Sequence, residues 1–181
     1  MTTSREIRPH ADEVSPQRLR AALASFASGV TVVTTAGGTG TQQVHGMTAN
    51  AFTSVSLEPP LVLVAVSNVA HLHQRIVETG RYGVSILNRG QEAFARHFAG
   101  QIARPELVRF LWRDGLPLID GALVHLTCTV LDSHLAGDHT LHVAQVDTVL
   151  HQGGAPLVYH SGSFSGVDAA KSAMPASPAN P

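Results

Sequence analysis

The run "ALVHLTCTVLDSHLAGDHTLHVAQVDTVL", residues 122–150, constrains this 181-residue chain more than any other stretch. Two long segments rich in β-branched residues flank the turn "AGDHT", the pattern of an antiparallel hairpin. In the first arm Val124, Leu126, Cys128 and Val130 alternate with His125, Thr127 and Thr129, which predicts a half-buried strand. Another turn and strand, "GGAPLVYHSGSF", follow with no helix between. A doubly wound parallel sheet needs a helix after nearly every strand, so this half of the chain argues against it.

The earlier half adds strands and a few short helices. "VSPQRLRAALASFASG" predicts a helix capped by Ser15, with Pro16 at its first position, a Val14–Leu19 staple and Gly29 as its stop. Leu19, Leu23 and Phe26 form its apolar stripe. "VTVVTT" (30–35) reads as a strand and "AGGTGTQ" as its turn. The polar run from His45 reads as one strand to about Ser56, broken by "EPP". "LVLVAVS" (61–67) is apolar on both faces and predicts a central strand. A helix over "NVAHLHQRIVETG", a strand "RYGVSIL" and a helix "GQEAFARHFAG" follow, and residues 101–118 read as loop. The sum is a closed or nearly closed antiparallel barrel in one domain, residues 15–165, with polar or Ala/Ser/Pro-rich tails at 1–14 and 166–181.

Composition narrows the function classes. Apolar residues make up 44% and charged residues 14%, a folded chain whose low charge hints at surface covered by another subunit. A formal charge of −1 gives no electrostatic case for nucleic acid or an anionic membrane. The single Cys128 cannot form an intrachain disulfide, and no stretch has signal-peptide or membrane-span character, so a cytoplasmic protein is expected.

Among catalytic motifs, a Gly-x-Ser-x-Gly elbow, a P-loop and a Gly-x-Gly-x-x-Gly after a strand are all missing. "GGTG" (37–40) reads as a hairpin turn before a phosphate cradle. Eleven histidines raise a metal reading, but none of their spacings matches a zinc motif. On a helix His71 and His73 diverge, and His139 and His142 fall on opposite faces of a strand. "HGMTANAFTSVSLEPPLVLVAV", residues 45–66, gathers His45, Thr48, Asn50, Thr53, Ser54 and Ser56 just before an apolar strand. Periodicity alone leaves two explanations, a solvated strand face or donors converging on a phosphate-bearing ligand.

That run, with "FASGVTVVTT", "FAG", "AGDHTL" and "PLVYHSGSF", resembles the flavin reductase-like family over about residues 18–165. The resemblance implies an antiparallel split β-barrel of the FMN-binding type, mainly β and dimeric. It implies an NAD(P)H:flavin oxidoreductase, the reductase component of a two-component flavin-dependent monooxygenase. FMN or FAD would be the cofactor, NADH or NADPH the co-substrate, and a separate oxygenase the partner. Thr48, Ala49 and Asn50 match positions along the isoalloxazine ring. Ser54, Val55 and Ser56 match positions at the ribityl chain and phosphate, and Ser67 and His71 a second phosphate-side element. His139 matches the nicotinamide side, with Tyr159 near the same mouth.

One departure stands out. Many relatives carry an arginine or lysine just before the histidine that matches His71, where this chain has "SNVAH", leaving His71 and a helix N-terminus to balance the phosphate. The implied reaction is hydride transfer from nicotinamide C4 to flavin N5, which requires stacking and positioning but no protein acid or base. A non-catalytic flavin carrier of the same fold and a flavin-independent dimeric barrel are the competing readings.

Overall fold

The computed structural model describes residues 14–37 and 44–167. The expected tails, and the turn at 37–40, lie largely outside those residues. The first element among the described residues is α1 (Pro16–Leu23), where the Ser15 hydroxyl accepts the Arg18 N–H at 3.2 Å and Pro16 takes the first helical position. The helix ends well before the expected Gly29, because Ser28 and Gly29 form a short strand, β1 (Ser28–Gly29), opposite Tyr159 and Val158. Its stripe does not pack on the core: no α1 residue is buried, and Leu19, Leu23 and Phe26 remain 47%, 62% and 77% exposed.

Next come β2 (Thr31–Ala36), β3 (Val44–Ala49), β4 (Phe52–Leu57) and β5 (Pro60–Ser67). The polar run is therefore two strands broken at Asn50–Ala51. Then follow α2 (His71–Thr79), closed by Gly80 at φ 65°, β6 (Arg81–Ile86) and α3 (Glu92–Phe98). Residues 101–118, expected as loop, contain a hairpin, β7 (Phe110–Arg113) and β8 (Leu116–Ile119). Asp114 and Gly115, both at positive φ, form its tip, an Asp-Gly hairpin signal inside the stretch expected as loop. The long hairpin is β9 (Val124–Ala136) and β10 (His139–His151), followed by β11 (Leu157–His160) and β12 (Ser163–Gly166).

The protein is mainly β with few helices. Its large sheet runs β3-β2-β6-β9-β10-β5-β4, every pair antiparallel. Its edges, β3 and β4, are not paired with each other, so the sheet is not a closed barrel. β5 lies inside the sheet between β10 and β4, with Val62, Val64 and Val66 buried and Leu61, Leu63 and Ala65 half-buried.

β9 corrects the half-buried expectation. Its first half is buried on both faces, His125 and Thr127 as fully as Leu126 and Cys128. Bonds within the chain offset most of this burial: His125 Nε2 donates to the Ile119 carbonyl at 2.7 Å, although its Nδ1 is buried without a partner, and Thr127 donates to the Asp114 carboxylate at 3.1 Å. One core cluster joins Val33, Val64, Ile76, Tyr82 and Cys128, and a second joins Val30, Val32, Leu87, Ile119 and Leu157. No helix among the described residues is long and apolar enough to cross a membrane.

Candidate functional site

The break at Asn50–Ala51 turns the chain from one edge of the sheet to the other, and the residues around it are locked up to the corner itself. Thr48 donates its hydroxyl to the Ala95 carbonyl of α3 at 2.7 Å. Ala49 is buried, and its carbonyl accepts the Thr31 hydroxyl at 2.7 Å. Asn50 is exposed, and its amide makes no hydrogen bond among the described residues.

Asn50 lies where three cavities meet. One of about 570 Å³ is walled by Phe26, Ser28, Thr31, Phe52, Leu63 and Ala65. A second of about 610 Å³ lies between α1 and Asp138, His139 and Tyr159. A smaller one of about 170 Å³ includes Thr48, Tyr159 and Phe164, whose rings are 5.2 Å apart. On the wall of the first cavity the Ser28 hydroxyl is buried without a partner. Apolar walls, an orphaned hydroxyl and an open amide suit a flat aromatic ring with hydrogen-bonding edges, which is what an isoalloxazine presents.

His139 begins β10 directly opposite Ser67, the last residue of β5. Its Nδ1 donates to the Asp138 carboxylate at 2.8 Å, and the imidazole holds that carboxyl below the usual range. Its Nε2 makes no hydrogen bond among the described residues. Thr48, Asn50, Ser67, His139 and Tyr159 thus gather around one corner.

The remaining expected residues lie apart. Ser54, Val55 and Ser56 are on edge strand β4, where the register shifts between Ser54 and Ser56. The Ser56 hydroxyl already accepts the Glu58 N–H at 3.2 Å, whereas the Ser54 hydroxyl has no partner among the described residues. Ser54 pairs with Val62, five positions before Ser67 on β5, roughly 17 Å at about 3.3 Å per residue. The two expected phosphate-side elements are therefore at opposite ends of one strand. His71 opens onto a separate cavity of about 530 Å³ with His45 and His97. There His45 Nε2 is buried without a partner, and burial, then the nearby Arg75 and His71, lower the His45 pKa.

The other histidines divide as expected. His73 Nδ1 and His142 Nε2 share a hydrogen bond at 3.1 Å, while His71 faces elsewhere. His142 is fully buried and also bonds Ser133 at 2.8 Å, in contrast to His139 on the open side of β10. Among the described residues no three His, Cys, Asp or Glu side chains gather to hold a metal ion. Sequence reasoning missed Arg20, Phe26 and Ser28 at the site, since all three sat within the expected first helix. It also passed over the orphaned nitrogen of His45, for which the only signal was its place at the head of the polar run.

Comparison with known proteins identifies the family of the chain and the likeness of its fold. The model of the flavin reductase like domain matches residues 23–168. An NADH-dependent flavin reductase of Rhodococcus sp is 58% identical over 156 residues, covering 86% of this chain and 89% of that protein. The reductase component of 4-hydroxyphenylacetate 3-monooxygenase from Thermus thermophilus is 43% identical, covering 79% and 91%. The solved structure of flavin reductase PheA2 in its native state superposes with a TM-score of 0.80 at 40% identity, over 85% of this chain and 99% of that one. The NADH:FAD oxidoreductase SgcE6 of Streptomyces globisporus, in complex with NAD and FAD fragments, gives 0.80 at 37% identity, over 90% and 100%. A fold and a sequence that agree with these proteins over most of the chain lead to one conclusion: the protein belongs to the flavin reductase-like family.

Proposed function

We propose that this chain is an NADH-dependent flavin reductase whose reduced flavin feeds a separate monooxygenase. The observation that carries the reading is the convergence on Asn50 of a ring-sized apolar cavity and a second cavity bearing His139. A bound flavin supplies the two-electron acceptor, taking hydride at N5 from nicotinamide C4.

The chain's own residues bind, orient and exclude water. The Asn50 amide, free to donate and accept, holds the polar edge of the ring, and the Ser28 hydroxyl adds a buried partner. Thr48, with its proton committed to Ala95, offers only acceptor lone pairs, and Ala49 backs the ring. Phe26, Phe52 and Leu63 keep water from the reacting face. Ser54, Val55 and Ser56 on the bulged edge hold one end of the flavin tail, or Ser67 and His71 do; about 17 Å of strand between them leaves only an extended ligand able to touch both. Tyr159 closes the mouth. His139, steadied through Nδ1 by Asp138, directs Nε2 at the nicotinamide carboxamide and so aligns C4 with N5.

The same reading makes the sheet an FMN-binding split barrel working as a homodimer. Its support is the apolar surface left open on and beside edge strand β4 and on the β9 arm: Val55, Leu57, Leu131 and Leu135 are 50%, 85%, 56% and 77% exposed. NADH is favoured by relatives described as NADH-dependent, which act on FAD in one case and FMN in another, and a reducing, cytoplasmic setting fits the unpaired Cys128.

His139→Ala tests the reading. Stopped-flow reduction of the flavin-loaded variant by NADH should be slower on the order of 10²-fold, with flavin affinity near normal. An unchanged rate would make His139 a turn residue, whereas an unmodified protein that NADH does not reduce would favour a flavin carrier over an enzyme.

A further inference from the structure

α2 buries Leu72 and Ile76 and α3 buries Ala95, but α1 buries nothing. Yet α1 is amphipathic, and one face of it, with Leu19, Arg20 and Leu23 at three- and four-residue spacing, lines the cavity that holds His139. A helix whose apolar face contributes nothing to the core, but walls a cavity, is placed there for what enters the cavity. The charges complete the picture. Asp138 and its hydrogen-bonded His139 are the other ionisable groups on that wall apart from Tyr159, and Arg20 makes no hydrogen bond or ion pair through its side chain among the described residues. An unpaired guanidinium beside an apolar strip on one helix face matches a ligand that is part flat ring and part phosphate.

We infer that this face of α1 is the outer wall of the nicotinamide dinucleotide site, with Arg20 as the group that takes the dinucleotide's phosphates. The assignment rests on the flavin reductase reading. The apolar strip packs along the dinucleotide while His139 holds its reactive end, so α1 determines which reductants bind well. Flavin lies on the other side of Asn50, against Phe52 and Leu63, and does not need Arg20.

The test uses the full chain with flavin bound and compares NADH with N-benzyl-1,4-dihydronicotinamide, which has no phosphate. Arg20→Ala should raise the NADH concentration for half-maximal reduction roughly ten- to hundredfold, the loss of a hydrogen-bonded charge contact. It should leave the limiting rate and the flavin affinity close to those of the unmodified protein, and Arg20→Lys should recover part of the loss. The rate with the phosphate-free reductant should be the same in both proteins. Arg18→Ala, which removes an equal charge outside the cavity, should leave NADH saturation unchanged.

Unchanged NADH saturation in Arg20→Ala overturns the assignment, as does an equal loss with the phosphate-free reductant. A rise in the FAD requirement alone would give Arg20 to the flavin's own phosphates and overturn it too. A changed sedimentation coefficient with normal NADH saturation would give the face to a second copy. An unmodified protein inert to both reductants overturns the reductase reading itself.

Discussion

The first half of β9 and the corner at Asn50 treat polar groups in opposite ways. In β9, Thr127 is buried and bonded to Asp114 and Thr148, and His125 spends Nε2 on Ile119. At the corner, Asn50 and Ser28 make no side-chain hydrogen bond, and His139 commits one ring nitrogen only. The sheet centre has bonded its polar side chains within the chain, the enclosed Nδ1 of His125 excepted. The corner has kept capacity open at the junction of three cavities, which is the signature of a surface built for a ligand.

The largest way to test this contrast is to damage each region in turn. Leu118→Ala, at a fully buried position covering the sheet, should cost about 2–5 kcal/mol of stability. Leu23→Ala, on the exposed face of α1, should stay within about 0.5 kcal/mol. Urea unfolding of both variants measures the gap; comparable losses would mean that α1 is part of the core after all.

Acid provides the next test. Burial, and then the adjacent His73, hold the His142 pKa down to about 4 from an ordinary 6.5. The unfolded chain therefore binds a proton there more readily than the folded one. The stabilisation is complete above pH 6.5, falls as pH drops, and is gone below about 4, a loss of about 3 kcal/mol. Unfolding midpoints across that window should fall less steeply in His142→Gln than in the unmodified protein. An equal slope would remove His142 as the source.

The third test is at the edge strand. Ser54→Ala combined with Ser56→Ala should weaken flavin binding by about 1.5–3 kcal/mol for each contact to a charged group that is lost. Since Ser56 also accepts Glu58 N–H, circular dichroism must first show the fold intact. Full retention of flavin affinity would make this stretch a solvated edge and move the phosphate to Ser67 and His71.

Much of this contrast was legible in the sequence, for a local reason. Turns, caps and β-branched runs announce themselves over a few residues, which is why Ser15, Gly80 and the β9–β10 hairpin fell where expected. Burial does not. His125 and Thr127 look like a solvated face until β8 and Asp114 supply partners from elsewhere in the chain. The same holds for Leu19 and Leu23, whose spacing predicts a buried face without saying whether core or cavity covers it. The run from Thr48 to Ser56 carried its family resemblance openly, but one strand became two because nothing local distinguishes a corner at Asn50 from a continuing strand.

That corner has a consequence for how the protein assembles. β3 and β4 are neighbours in the chain, yet β2, β6, β9, β10 and β5 all stand between them in the sheet. Hairpins such as β4–β5 and β9–β10 can close early through contacts near in sequence, while the ladders β6–β9 and β5–β10 must wait for distant segments to meet. The two strands meeting at Asn50 adopt their final relation only when the whole ladder is in place. Occupation of the corner is thus expected to report on completed folding, and a nascent chain still lacking β10 would have no finished corner to occupy.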